Sequence, residues 1–358
     1  MKARTLPLAL AMAGALALTA TGCSGGEPSA TEQTGVASAS DDAPESQAPP
    51  ADTSDGDGET VSVTIGITQI VDHPSLNLIK DGFKDALAQA GIDASYDEQN
   101  AQGDQSNAAT IAGSFAADPS LDLILAIATP TAQAVVQQIT DRPILFAGVT
   151  DPVAAGLVPS FDPSGTNVTG TSDLNPNARP VELVQQVMPD VQTIGVLYSS
   201  AEANSEVQVE AFEAEAEALG IEIKPQSITN SSEVMTGAQA LEGVDAILIP
   251  TDNTVVSALD AVIQFAEQSK IPVFSADAES VERGTVATRG ISYYDLGVRT
   301  GEMAVQVLRD GVDPGSIATL VVEETELKVN PVSAERMGIV IPDDLLSEAT
   351  IVETSSGE

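Results

Sequence analysis

The chain has 358 residues, with 53 acidic side chains against 14 basic ones and a formal charge of −39. That balance excludes nucleic acid as a partner, because counterion release needs a basic surface. It equally excludes docking of a folded domain on anionic lipid.

Lys2 and Arg4 form a short basic start, and the run Leu6 to Thr19 is uncharged and mostly apolar. That run is shorter than the roughly 20 residues needed to span a bilayer core, and it fits the apolar part of a secretory signal peptide. Small residues Ala20, Thr21 and Gly22 precede Cys23, the only cysteine of the chain. No intrachain disulfide is therefore possible. Residues 1–22 read as a lipoprotein signal peptide and Cys23 as the lipidation site, with Ala20 where such sites more often carry Leu. The competing reading is an ordinary signal peptide with an incidental cysteine. Residues 24–60 hold no Lys or Arg, and Val36 is their one large aliphatic residue. Such a stretch buries too little apolar surface to offset chain entropy. Residues 23–60 are thus expected to be a disordered acidic linker behind a lipidated cysteine.

From residue 61 the sequence alternates β-rich apolar runs with amphipathic helices. Val61–Ile67 is the first run. Leu76, Ile79, Phe83, Leu87 and Ala90 then recur at helical spacing from Pro74 and stop at Gly91. Further apolar runs lie at 121–128, 144–149, 193–198, 246–249 and 273–274. The rhythm predicts an α/β fold with parallel sheets covered by helices on both faces. An internal echo points to two similar lobes. Asp122 to Thr129 leads through a helix to Pro143–Phe146, and Asp245 to Thr251 leads through a helix to Pro272–Phe274.

Ligands of open parallel sheets sit beyond the carboxyl ends of the strands, where helix N-termini also point. The residues at those ends are small and polar. Candidate ligand contacts are Thr68, Gln69, Asn100, Thr129, Thr131, Thr150, Asp151, Asn204, Ser205, Asp252, Asn253 and Asp277, with His73, Glu202, Thr251 and Ser275 beside them. Tyr198 ends a strand and offers either a stacking ring or a core contact, and Tyr293 and Tyr294 offer an aromatic wall. The set suits a small polar or zwitterionic ligand. A carboxylate would lie on the helix start at Thr129 and Thr131, and an ammonium against Asp252, Asp151 or Asp277. For each residue alone, a helix N-cap is the competing role.

Catalytic constellations are missing. His73 is the single histidine, and there is no nucleophile elbow, phosphate loop, dinucleotide fingerprint or metal-spaced His/Cys cluster. A binding module is expected rather than an enzyme, with no catalytic residues, no metal site and no cofactor.

Gly66-Ile-Thr-Gln-Ile-Val-Asp-His-Pro74 and Gly82-Phe-Lys-Asp-Ala-Leu87 resemble the ABC-transporter substrate-binding proteins of the tryptophan/tyrosine type. So do Asn100-Ala-Gln-Gly103, Ala128-Thr-Pro-Thr-Ala-Gln133, Val149-Thr-Asp-Pro-Val153 and Asn167-Val-Thr-Gly170. The second half adds Gly195-Val-Leu-Tyr198, Glu202-Ala-Asn-Ser205, Pro250-Thr-Asp-Asn253 and Tyr294-Asp-Leu-Gly297. The resemblance implies the type I periplasmic-binding-protein architecture: two Rossmann-like lobes, three inter-lobe crossings and a cleft between them. Lobe one would comprise residues 61–170 plus 291–320, and lobe two residues 171–290 plus 321–358. It further implies an extracytoplasmic component of an importer that binds an L-amino acid, with permease and ATPase subunits as partners and the membrane reached only through the lipid anchor. A sensor lipoprotein on the same fold, or a nucleoside or sugar as the ligand, is the alternative.

Overall fold

The computed structural model describes residues 61–175 and 177–353. Signal peptide, Cys23 and linker lie outside the described residues. No described helix is long and apolar enough to cross a membrane.

The chain opens as β1 (Ser62–Gln69), α1 (Pro74–Gln89), β2 (Asp93–Asn100), α2 (Gln105–Ala117), β3 (Leu123–Ile127), α3 (Thr129–Val136), β4 (Ile144–Ala147) and β5 (Val168–Ser172). A second run follows as α4 (Pro180–Val187), β6 (Thr193–Ser199), α5 (Ala203–Leu219), β7 (Glu222–Ile228), α6 (Val234–Ala240), β8 (Ala246–Ile249), α7 (Asn253–Ser257), α8 (Leu259–Ser269), β9 (Val273–Ser275), α9 (Glu279–Arg283) and β10 (Ala287–Gly290). The chain then makes α10 (Tyr293–Leu308), β11 (Leu320–Val321), β12 (Glu326–Val329), α11 (Pro331–Arg336), α12 (Asp343–Glu348) and β13 (Thr350–Ile351).

Two parallel sheets result. One has the order β11-β5-β4-β3-β1-β2 and the other β7-β6-β8-β9. The chain passes between them after β5, after β10 and after β11. β5 and β11 carry the first sheet to Ser172 and Val321, just past the ends expected from sequence. A third, small sheet has the order β10-β12-β13, and its β10–β12 pair is antiparallel. The sequence expectation of parallel sheets fails there because the returning chain lies back along the strand by which it left.

Burial follows from the sheet period. In β3, Leu123, Leu125 and Ile127 join the core under α1 and α10, while Ile124 and Ala126 join the core on the opposite face. A central parallel strand is covered on both sides, so it reads as an unbroken apolar run. The second lobe has one large core that includes Val196, Ile247, Leu248, Phe274 and Val262.

α1 and α10 approach closely because glycine removes the side chains between them. A Cβ at Gly297 would stand 2.1 Å from the Ile79 carbonyl oxygen, and one at Gly82 would stand 2.2 Å from the Tyr294 carbonyl oxygen. Backbone cannot give way as a flexible side chain can. We expect Gly297→Ala to cost about 1–3 kcal/mol in urea unfolding, the range of core overpacking. An unchanged midpoint would show that the helices separate freely.

Candidate functional site

The carboxyl ends of both sheets face each other across a narrow inter-lobe cavity of about 20 Å3. The first lobe lines it with His73, Ser75 and Leu76 at the start of α1, Gly148 after β4, and Asp173 after β5. Tyr293 at the start of α10 completes that side. The second lobe contributes Asn204 from α5, Thr251, Asp252, Asn253 and Val256 around the start of α7, and Asp277 after β9. The wall carries no Lys or Arg.

Side chains meet across the gap. Ser75 Oγ donates to Asp277 Oδ1 at 3.2 Å, and His73 Nε2 lies 3.4 Å from Asn253 Oδ1. The Thr150 and Thr251 hydroxyls share a 3.4 Å hydrogen bond, and Gln208 Nε2 donates to Thr150 Oγ1 at 3.3 Å. The lobes are therefore held in a closed arrangement.

Behind the wall, the second lobe is tightly tied. The Asp252 carboxylate accepts from Ser199 N at 2.6 Å, from Ser205 Oγ at 2.6 Å and from Val255 N at 2.8 Å. It caps α7 and pins that helix to β6. Glu202 accepts from Thr254 N at 2.9 Å, Thr254 Oγ1 at 2.7 Å and Asn253 N at 3.2 Å. Two carboxylates thus converge on one short helix.

The cavity holds polar atoms without partners. Asp173 Oδ1, Asn204 Oδ1 and His73 Nδ1 are buried and make no hydrogen bond. Two of these are acceptors only, and a neutral imidazole nitrogen is either a donor or an acceptor. Leaving such atoms dry costs about 1–3 kcal/mol each. Burial raises the Asp173 carboxyl above the usual carboxylate range, and burial lowers His73 against the opposing pull of Asp277. The Tyr293 hydroxyl donates to Asp173 Oδ2 at 3.0 Å.

The sequence candidates separate on this geometry. Asn204, Asp252, Asn253 and Asp277 reach the wall, and Thr150 bridges the lobes beside it. Asp252 has both carboxylate oxygens engaged, so the expected free acceptor for an ammonium is instead a cap and tie. Ser205 serves that same carboxylate. Thr131 donates to the Ala128 carbonyl oxygen at 3.0 Å and is not on the wall. Thr129 and Thr68 keep unpartnered buried hydroxyls but also stand off the wall. The expected carboxylate seat at Thr129 and Thr131 thus lies off this wall. Asp151 caps its own turn through Val153 N and Ala154 N, each at 2.9 Å. Tyr198 packs on the second-lobe core, which resolves its two readings toward packing. Gln69 is committed to the Val71 carbonyl oxygen and to Asn77, and Asn100 is exposed beside it on a surface depression.

Sequence reasoning missed Ser75, Asp173, Gln208 and Glu279. The first and last come together from distant segments, which no local spacing announces. Asp173 follows the polar strand Val168–Ser172, whose Thr and Ser content hid a fully buried strand end.

Two parallel-sheet lobes closed over a polar cavity define a cleft-binding protein of the type I periplasmic architecture. The chain belongs to the ABC transporter substrate-binding protein family, whose profile matches residues 64–353. It is 41% identical over 271 residues to a tyrosine-binding protein of Clostridioides difficile, covering 74% of this chain and 78% of that one. An ABC domain from Streptococcus pneumoniae solved with L-Trp is 39% identical, with a TM-score of 0.78 over 81% of this chain and 99% of the other. A ligand-free, open substrate-binding protein with adhesive properties from Clostridium difficile is 40% identical over 82% of this chain and 100% of that one, yet its TM-score is 0.62. Identity is matched between the two, so the better superposition on the ligand-bound protein agrees with the closed contacts described above.

Glu279, next to Asp277, is pushed up to about 7 by burial and by that neighbour, from an ordinary 4.5. Lys328, Ser75 and Tyr293 are the other groups facing it. The native state therefore keeps a proton that the unfolded chain releases earlier. The resulting stability is complete below about pH 4.5 and is lost as pH rises through about 7. Asp252, raised to about 7 by burial and Glu202, acts in the same direction. We expect stability to fall between about pH 5 and about pH 8, and Glu279→Gln to flatten part of that slope, worth at most about 3 kcal/mol. Urea midpoints at the two pH values check it, and identical slopes for both proteins would refute it.

Proposed function

We propose that the protein captures an L-amino acid, of the tyrosine or tryptophan type, and presents it to the permease of an ABC importer without converting it. The observation that carries this reading is the set of orphaned acceptors on a cavity wall with no basic residue. An ammonium brings three N–H donors and a positive charge, which is what Asp173 and its neighbours lack. A neutral sugar or nucleoside brings donors but no charge to hold Asp173 ionised.

The opposite end of a zwitterion has a seat at the start of α1. Pro74 occupies the first turn, and His73, the N-cap, makes no side-chain cap hydrogen bond. The amides that follow are free to meet a carboxylate, and the helix dipole favours it. Leu76, Val256 and Tyr293 supply the apolar and aromatic flank for a side chain. The names of the matched relatives, one tyrosine-binding and one solved with L-Trp, support the aromatic preference.

Ligand and lobes act on each other. A ligand that touches both lobes favours closure only by its greater affinity for the closed state. Asp173→Asn removes the charge while keeping the shape. Titration calorimetry with L-tyrosine and L-tryptophan should show a loss of about 10- to 150-fold, the worth of one charge-assisted hydrogen bond. Asp252→Ala, by contrast, should lower the unfolding midpoint while affecting affinity less. Unchanged affinity in Asp173→Asn would remove the ammonium from that position.

The placement outside the cytoplasm is proposed to be membrane-bound, through a lipid on Cys23 after removal of residues 1–22. The basic start, apolar run and small residues before the lone cysteine support it. Cys23→Ser should move the protein from the washed membrane fraction to the soluble fraction. Retention of the variant on membranes would overturn the anchor.

A further inference from the structure

A second cavity, of about 540 Å3, lies beside the segments by which the chain passes between the lobes. Residues 173–175 and 178–180 form one side, and 289–291 another. One face of α5 closes it with Phe212 and Leu219. It shares Asp173, Thr251 and Tyr293 with the inter-lobe cavity but extends away from it.

Two arginines, Arg179 and Arg289, line this cavity. Every other described arginine has a carboxylate within 4.0 Å: Arg142, Arg283, Arg299, Arg309 and Arg336. Among the described residues Arg179 and Arg289 alone of the arginines form neither an ion pair nor a side-chain hydrogen bond. In a chain with 53 acids and 14 bases, two guanidiniums at one cavity without a carboxylate within 4.0 Å are unusual, although Glu215 on the same wall feels the Arg179 charge.

The acids on the same wall have other hydrogen-bond partners. Glu215 accepts from Glu182 N at 2.9 Å and so caps α4. Asp173 accepts from Tyr293 Oη, and Glu182 from Gln186 Nε2 at 3.4 Å. Arg179 also holds a left-handed backbone, φ 44°, directly before α4, without using its side chain as a cap. Such a conformation is uncommon for a residue with a Cβ.

We propose that this cavity is a second binding site, for a small organic carboxylate with an apolar body. A guanidinium fork matches a carboxylate in shape and charge. Phe212, Leu174, Leu219 and Ile291 form the apolar surface for the rest of the molecule. The occupant differs from the inter-lobe ligand in needing no ammonium. It would rest on the segments that bend when the lobes open, so its binding and lobe closure are linked by mass action.

The probe is 3-phenylpropionate, titrated calorimetrically into the full chain with L-tryptophan saturating. Saturable binding that persists under L-tryptophan is expected, with at least about tenfold weaker binding in Arg289→Ala and in Arg179→Ala. The neutral analogue 3-phenylpropanol should bind at least about tenfold more weakly than the acid. Arg179 is exposed, so its variant tests the site even if Arg289→Ala fails to fold. If L-tryptophan itself does not bind, the arginine variants and the neutral analogue still decide the matter. No saturation at millimolar probe, unchanged affinity in a folded arginine variant, or displacement by L-tryptophan would each overturn the second site.

Discussion

A carboxylate taken out of water has to find donors, and this requirement organises the space between the lobes. Asp252 and Glu202 find theirs inside the second lobe, on β6, α5 and α7. Asp277 finds two in its own helix start, Ser280 N and Oγ, and one on the other lobe, at Ser75. Asp173 accepts from the Tyr293 hydroxyl and lies beside the Thr150 hydroxyl, and its Oδ1 has no hydrogen-bond partner. The acids that are satisfied build rigid walls. The one that is not leaves the closed protein incomplete without a donor from outside.

That incompleteness explains why closure and binding belong together. Across the gap, the direct contacts are a few hydrogen bonds, four of them long at 3.2 to 3.4 Å and one from Gln105 Nε2 to the Ala201 carbonyl oxygen at 2.5 Å. A cation at the centre, as proposed, would add an attraction to the buried acids. The surrounding scaffold is stiff enough to make the difference felt. α1, whose first turn forms part of the wall, is locked to α10 by glycines that allow backbone contact. A ligand seated at the start of α1, as proposed, would bear on that locked helix pair.

Much of the framework was legible beforehand. The apolar runs at 121–128, 144–149, 193–198 and 246–249 are the central strands β3, β4, β6 and β8. A strand covered on both faces has no choice but to be apolar throughout. The edge strands escaped notice for the converse reason. β2 is Asp93–Asn100 and β7 is Glu222–Ile228, with Pro225 inside it. Edges are paired on one side only, so polar residues and proline are tolerated there. Several of the strand-end candidates line the inter-lobe cavity. Their individual roles were not legible, because an Asp that caps a helix and an Asp with an unpartnered oxygen look the same in sequence.

By itself the sequence determined the α/β rhythm, the two-lobe repeat, the helix faces and the acidic, polar character of the strand ends. These depend on near neighbours and on periodicity, which are written along the chain. Tertiary structure alone decided which acids are satisfied. Ser75 meets Asp277 across 202 positions, Tyr293 meets Asp173 across 120, and Ser205 claims Asp252 across 47. Hydrogen-bond satisfaction is a property of what surrounds an atom in space, and burial multiplies its cost. The bare oxygen of Asp173 is seen only in the folded, closed arrangement.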